Sequence, residues 1–132
     1  MRYLPHPPKD QIELARVMEA LSDATRLAIV AFLASVPAGD GDEPRCGDFT
    51  AFGSKQNLSY HLARLRESGV THTRVVGTSR HISLRREDLD ARFPGLLESI
   101  IGAALQDGER VAMVHRAQAE WRAAVEAEST AA

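Results

Sequence analysis

Residues 54–70 have the sequence SKQNLSYHLARLRESGV, which carries the clearest helical pattern in the chain. At 100° per residue, Leu58, Leu62 and Leu65 fall on one line of a helix, so these leucines must face a core. A serine before the pattern suits a helix N-cap, and a glycine after it suits a helix end. The pattern therefore predicts a helix over about 55–68 with one apolar side and one polar side.

The polar side of this helix carries residues suited to reading DNA. Gln56, Ser59 and Tyr60 present hydrogen-bonding groups that suit base edges, and basic side chains suit phosphates or guanine. A recognition helix places its N-terminal residues in the major groove. We therefore expect Lys55, Gln56, Ser59 and Tyr60 to contact bases or the groove, and Arg64 to contact a phosphate. An amphipathic surface helix facing water would explain the polarity equally well.

A basic hairpin follows the helix, and it favours DNA binding over a surface helix that only faces water. Two segments rich in β-branched residues flank a glycine turn and predict a hairpin over about 70–84. Arg74 and Arg80 lie near its tip, where they could contact the neighbouring minor groove or backbone. The order helix, helix, short helix, basic helix, basic hairpin predicts a mainly α fold, a winged helix-turn-helix.

Charge is distributed unevenly along the chain. The segment 45–86 has eight basic and two acidic residues, a net charge of +6, whereas the whole chain has −2. A basic segment in an otherwise acidic protein is typical of phosphate binding, with the acidic remainder facing elsewhere. A solvated surface with uneven charge remains the alternative.

Four regions follow from the pattern. We predict an N-terminal arm at 1–9, a winged helix-turn-helix at 10–93, C-terminal dimerisation helices at 94–128 and a tail at 129–132. Asp10 is the predicted N-cap of the first helix, and residues 37–44 a loop. Because aromatic residues are only 5%, we expect an aliphatic core.

Apolar stripes on the first and last helices exceed what a core of this size obviously needs. We predict that these helices form a homodimer interface with Trp121 as a possible anchor, because two recognition helices related by a two-fold axis multiply the DNA contacts. Packing within the subunit is the alternative. The predicted interface residues are Ile12, Ala15, Met18, Val114, Trp121 and Val125.

Composition excludes several other classes of protein. With 132 residues, 44% hydrophobic and 26% charged, the chain is typical of one globular domain. No apolar stretch is long enough to span a bilayer and the N-terminus does not resemble a signal peptide, so we expect a cytoplasmic protein without a membrane partner. The chain has no phosphate-cradling glycine loop, no HExxH motif and no nucleophile with a base, which argues against an enzyme.

Two motifs resemble one family of bacterial regulators. Residues 20–29, ALSDATRLAI, resemble the opening motif of the ArsR/SmtB (arsenic-repressor-like) family, and residues 54–70 resemble its recognition helix. Residues 75–84 are similar to its wing. The resemblance covers roughly residues 12–93. It implies a homodimeric repressor that binds an imperfect palindrome of double-stranded DNA and leaves it when a small effector binds.

The resemblance also assigns roles by position. Lys55, Gln56, Ser59 and Tyr60 match the base-reading positions of the family, Arg80 falls in its wing, and the recurrent histidine at position 61 is interpreted as structural. A protein-interaction module on the same scaffold, without DNA binding, is the competing function.

The effector site of the family is incomplete in this chain. Its metal sensors carry paired cysteines just before the recognition helix, where this chain has one cysteine, Cys46, and Asp48. One thiolate and one carboxylate make a poor soft-metal site, so we predict no cofactor. Cys46 is interpreted first as a small buried hydrophobe, with a redox or effector role left open. Asp107, His115 and Glu120 lack the spacing of the family's second metal site.

Overall fold

A computed structural model describes residues 4–37 and 43–131. The first three residues of the predicted arm, residues 38–42 of the predicted loop and residue 132 of the predicted tail lie outside the described residues. The described residues form six α-helices, two 3-10 helices and one two-stranded antiparallel sheet. In chain order they are a 3-10 helix (Lys9–Gln11), α1 (Leu14–Ala20), α2 (Ala24–Ser35), a 3-10 helix (Cys46–Phe52), α3 (Lys55–Glu67), β1 (Thr71–Val76), β2 (Ser79–Leu84), α4 (Arg86–Arg92), α5 (Leu96–Ala104) and α6 (Gly108–Ala131).

The first helix begins later than the sequence predicts. Asp10 lies in the 3-10 helix and not at an N-cap, because the chain stays extended at Ile12 before α1 begins. Ile12 is buried against Gly69, which follows α3 and has a φ of +89°. A Cβ at Gly69 would lie 2.7 Å from Ile12 Cγ1, so only glycine leaves room for this contact. Burial of Ile12 thus outweighs the N-cap signal at Asp10.

A buried arginine joins the first two helices to α3. Asp23 caps α2 by accepting a hydrogen bond from the backbone N–H of Arg26 at 3.0 Å. The Arg26 side chain donates to the carbonyl of Ala20 at 2.6 Å, and its Nη1 lies 3.1 Å from His61 Nδ1. The structural interpretation of His61 is therefore confirmed.

Helix α3 forms as predicted and ends one residue earlier. The Ser54 hydroxyl accepts a hydrogen bond from the Asn57 N–H at 3.3 Å, which caps the helix. Leu58, Leu62 and Leu65 are all buried. The apolar stripe read from the sequence therefore faces the core, and the predicted polar side faces away from it.

The hairpin packs one face against α3. Its register runs from Thr71 opposite Leu84 to Val76 opposite Ser79, with a two-residue turn at Gly77–Thr78. Gly77 has a φ of +60°, which suits the first position of a tight hairpin turn. The fold class, a mainly helical protein with a two-stranded hairpin, is as predicted and is consistent with a winged helix-turn-helix.

The predicted aliphatic core is confirmed for most buried residues, but it also contains an aromatic cluster that the sequence did not predict. Phe32 and Phe49 are fully buried with ring centroids 5.5 Å apart, and Phe52 packs against both. The Trp121 ring contacts Phe32 at 6.4 Å. Aromatic residues are few, but these four are gathered at one point where α2, the second 3-10 helix and α6 meet.

The last helix packs against the helices that precede α3. Helix α6 packs on α2 and on the Cys46–Phe52 helix. It is helical to Ala131, so the described part of the predicted tail continues the helix. Asp107 Oδ1 accepts from the N–H of Glu109 at 3.0 Å, which explains why this aspartate precedes the helix. No helix among the described residues is long and apolar enough to cross a membrane.

Candidate functional site

The first two turns of α3 form an exposed polar ridge, defined here as Lys55, Gln56, Asn57, Ser59 and Tyr60. All five side chains are exposed, and Tyr60 is 60% exposed. None of the five side chains forms an ion pair or hydrogen bond with another side chain in the described ranges. The four residues predicted to contact bases therefore lie together, on one stretch of surface and with free polar groups.

The later turns of α3 are committed to contacts within the subunit. Arg64, the predicted phosphate contact, is only half-exposed and forms an ion pair with Glu19 of α1. An exposed pair of this kind stabilises a fold by only about 0–1 kcal/mol. Arg64 can therefore leave Glu19, but its charge is partly neutralised where it stands.

The two hairpin arginines lie on opposite faces, contrary to the expectation that both mark one basic tip. Arg74 is paired across the strands with His81, and Val75 with Arg80, so alternation places Arg80 on the face that carries buried Thr73. Arg74 lies on the outer face and its Nη2 is 3.2 Å from Glu43 Oε2. Arg80 thus faces α3.

Half of the basic segment is neutralised by carboxylates of the same subunit. Besides the pairs of Arg64 and Arg74, Arg45 pairs with Glu128 at 2.5 Å and Arg85 with Asp88 at 2.9 Å. Arg86 donates to the carbonyl of Ala34. The bases without a carboxylate partner in the described ranges are Lys55, Arg66, Arg80 and Arg86.

Cys46 and its neighbours do not assemble a metal site. Asp48 Oδ2 accepts from the N–H of Arg45 at 2.8 Å, so this carboxylate caps the 3-10 helix. Cys46 is half-buried, and burial raises the pKa of its thiol, whereas Arg80 and Arg66 act in the opposite direction. No group of three His, Cys, Asp or Glu residues in the described part of the chain could hold a metal ion.

The residues predicted for a dimer interface are divided between core and surface. Ile12 and Val114 are buried within the subunit, which leaves them no area to offer a second copy. Trp121 is half-buried and packs on Phe32, so it contributes to the subunit's own core. Val125 is also half-buried. Ala15 and Met18 are exposed, and Met18 is 53% exposed.

Sequence reasoning missed several residues of these surfaces. Asn57 belongs to the exposed polar ridge, although it was not among the residues predicted to contact DNA. Leu14 and Leu105 are large exposed apolar residues that lie outside the predicted stripes. Arg66 lines a cavity together with Thr73 and Arg80 of the hairpin, a placement that depends on tertiary packing.

Comparison with known proteins agrees with the geometry. No protein-family model matches the chain. The chain is 38% identical over 96 residues to the Bacillus subtilis (strain 168) protein called "Uncharacterized HTH-type transcriptional regulator YceK". The match covers 69% of this chain and 88% of the relative. With this identity and coverage, and with the helix-turn-helix described above, the chain belongs to the HTH-type transcriptional regulators.

Proposed function

We propose that this protein is a DNA-binding transcriptional repressor of the ArsR/SmtB type. The observation that carries the proposal is the exposed polar ridge on the first two turns of α3, which has no side-chain hydrogen-bond or ion-pair partner among residues 4–37 and 43–131 and lies beside the hairpin. The Ala20–Ile29 motif supports the narrower family, since its Arg26 fastens α1 and α2 to α3 through Ala20 and His61.

The ridge suits insertion into the major groove. Gln56 and Asn57 offer amides for base edges, and Lys55 offers a cation for a phosphate or guanine. Ser59 and Tyr60 add hydroxyl groups one turn further along. Arg80 of the hairpin and Lys55 supply positive charge that no carboxylate of the described residues neutralises.

We propose that two copies bind an imperfect palindrome, with their α1 helices and the ends of their α5 helices in the interface. Leu14, Met18 and Leu105 expose 44%, 53% and 42% of their surface. Met18 also lines an apolar groove of about 350 Å³ with Ile100 and Ala104 of α5, and Leu105 follows Ala104 in the chain. Large exposed apolar residues beside an apolar groove are typical of an interaction surface. The bound dimer would repress transcription by occupying a promoter, and binding of an effector would release the dimer from the DNA.

Selection of DNA tests the function. Purified protein is mixed with fragments of the source genome, and the bound fragments are sequenced. We expect a shared imperfect palindrome, bound with an affinity that falls steeply with salt. A Gln56→Ala variant should lose the preference, and Gln106→Ala, an exposed glutamine beyond α5, is the matched control. Absence of any salt-dependent DNA binding would contradict the proposal and favour a protein-interaction module.

Sedimentation tests the dimer. We expect a mass of two chains for the natural protein and of one chain for Met18→Asp, because a carboxylate would be buried in the apolar interface. Ala91→Asp, with the same charge change on the exposed side of α4, should remain dimeric. A single-chain mass for the natural protein at micromolar concentration would refute this part.

A further inference from the structure

A cavity of about 450 Å³ lies behind the exposed polar ridge. It is enclosed by the Cys46–Phe52 helix, α3 and the inner face of the hairpin. Leu58, Leu62 and Ile82 supply apolar walls. Sites for small molecules typically measure about 300–1,000 Å³ and combine apolar walls with a few polar groups, so the size and lining suit a small organic molecule.

The charge of the cavity is strongly one-sided. Lys55, Arg66 and Arg80 all line it, and they are the three bases of segment 45–86 that neither pair with a carboxylate nor donate to a backbone carbonyl in the described ranges. No Asp or Glu lines the cavity among the described residues. An uncompensated set of cations around a partly enclosed space attracts an anion and repels a metal ion.

Two buried polar groups in the lining also lack partners. Thr73 is 5% exposed, and its hydroxyl makes no hydrogen bond within the described part of the chain. The buried Nε of Arg66 is likewise without an acceptor there. Leaving a buried polar group unsatisfied costs about 1–3 kcal/mol, so a ligand that satisfies both groups gains binding free energy.

We propose that this cavity binds a small organic anion with an apolar body, such as an aromatic or medium-chain carboxylate. Arg66 and Arg80 would bind the carboxylate, to which the Thr73 hydroxyl would also donate, and the aliphatic walls would contact the apolar body. Lys55 and Ser59 belong to both the cavity and the exposed polar ridge. Occupancy of the cavity would therefore weaken DNA binding, an inference that rests on the proposed function.

Binding is tested first without DNA. Benzoate, naphthalene-1-carboxylate and octanoate are titrated by calorimetry, and each is tested for protection of Cys46 from iodoacetamide. Cys46 lines the cavity and is the chain's one cysteine, so its alkylation reports on this site. We expect at least one carboxylate to bind and to slow alkylation at least tenfold at saturation. The neutral naphthalene-1-carboxamide and inorganic phosphate should do neither.

Variants locate the site. Arg66→Met and Thr73→Val should each weaken the carboxylate at least fivefold, whereas Arg116→Met on the exposed side of α6 should not. Thr73→Val preserves the shape of the side chain and removes an unsatisfied hydroxyl, so we expect it to fold. The proposal would be overturned if none of the three carboxylates protects Cys46. It would also be overturned if the carboxamide or phosphate binds as tightly as the carboxylates.

DNA binding is measured separately on the selected fragments. Release of the fragments by the carboxylate that protects Cys46 supports the coupling. Carboxylate binding in a protein that does not bind DNA would contradict the proposed function and leave the anion site standing. DNA binding that is intact while no carboxylate binds would contradict the anion site alone.

Discussion

The two halves of α3 look alike in sequence and differ in the structure. Each half carries basic and polar residues outside the line of leucines. In the first half, Lys55, Gln56 and Tyr60 are exposed and have no side-chain hydrogen-bond or ion-pair partner in the described residues. In the second half, Arg64 pairs with Glu19, and Arg66, which lines the same cavity as Lys55, has a buried Nε. We infer that a basic residue of α3 is available to DNA only where it is exposed and does not already pair with a carboxylate of its own subunit.

The largest effect should come from the leucines that both halves share. Leu65→Ala removes a fully buried side chain in the second half and should lower the free energy of unfolding by about 2–5 kcal/mol. Lys55→Ala, in the exposed first half, should change it by less than about 0.5 kcal/mol. Urea denaturation followed by circular dichroism measures both. Equal losses would mean that the first half is also structural.

Base recognition should be confined to the first half. Gln56→Ala should cost about 1–3 kcal/mol of binding free energy on the selected palindrome and far less on random DNA. The expected difference arises because an amide contact to a base edge carries sequence information. Fluorescence anisotropy with both duplexes measures it. An equal loss on the two duplexes would assign base reading to another residue.

Salt dependence should separate Lys55 from Arg64. Removing one phosphate contact lowers the slope of log K against log salt by about 0.9, and we expect this change for Lys55→Ala. Arg64→Ala should change the slope less, because Glu19 already neutralises this guanidinium. If the two variants lower the slope equally, Arg64 breaks its ion pair with Glu19 when the protein binds DNA. The sequence prediction that Arg64 contacts a phosphate would then be correct.

The smallest effect should appear at Cys46. Arg80 and, more weakly, Arg66 stabilise the thiolate against the effect of burial. Arg66→Met should therefore raise the pKa of Cys46 further, whereas Arg64→Met should leave it unchanged. Alkylation rates between pH 7 and 10 report the thiolate: the curve for Arg66→Met should move to higher pH. An equal move for Arg64→Met would place its charge in the cavity instead.

Sequence periodicity predicted most of the fold. The line Leu58, Leu62 and Leu65, the cap at Ser54 and the glycine of the hairpin turn are local signals, and each is confirmed. The N-cap at Asp10 failed because a distant contact, Ile12 against Gly69, decides where α1 begins. The aromatic centre of the core was missed because composition counts residues and does not place them.

The candidate site was predictable only in part. Exposure of Lys55, Gln56, Ser59 and Tyr60 follows from the helical wheel, so the sequence identified four of the five residues of the exposed polar ridge. Ion pairs such as Arg64 with Glu19 join residues far apart in the chain, and no local pattern reveals them. Strand alternation could have shown that Arg74 and Arg80 face opposite ways, had the hairpin register been known.

Backbone-amide NMR of the protein with its selected palindrome tests the central contrast most directly. We expect the largest chemical-shift changes at residues 55–60 and near Arg80, and small changes at residues 64–67. Shift changes centred on residues 64–67, or confined to α5 and α6, would contradict this expectation.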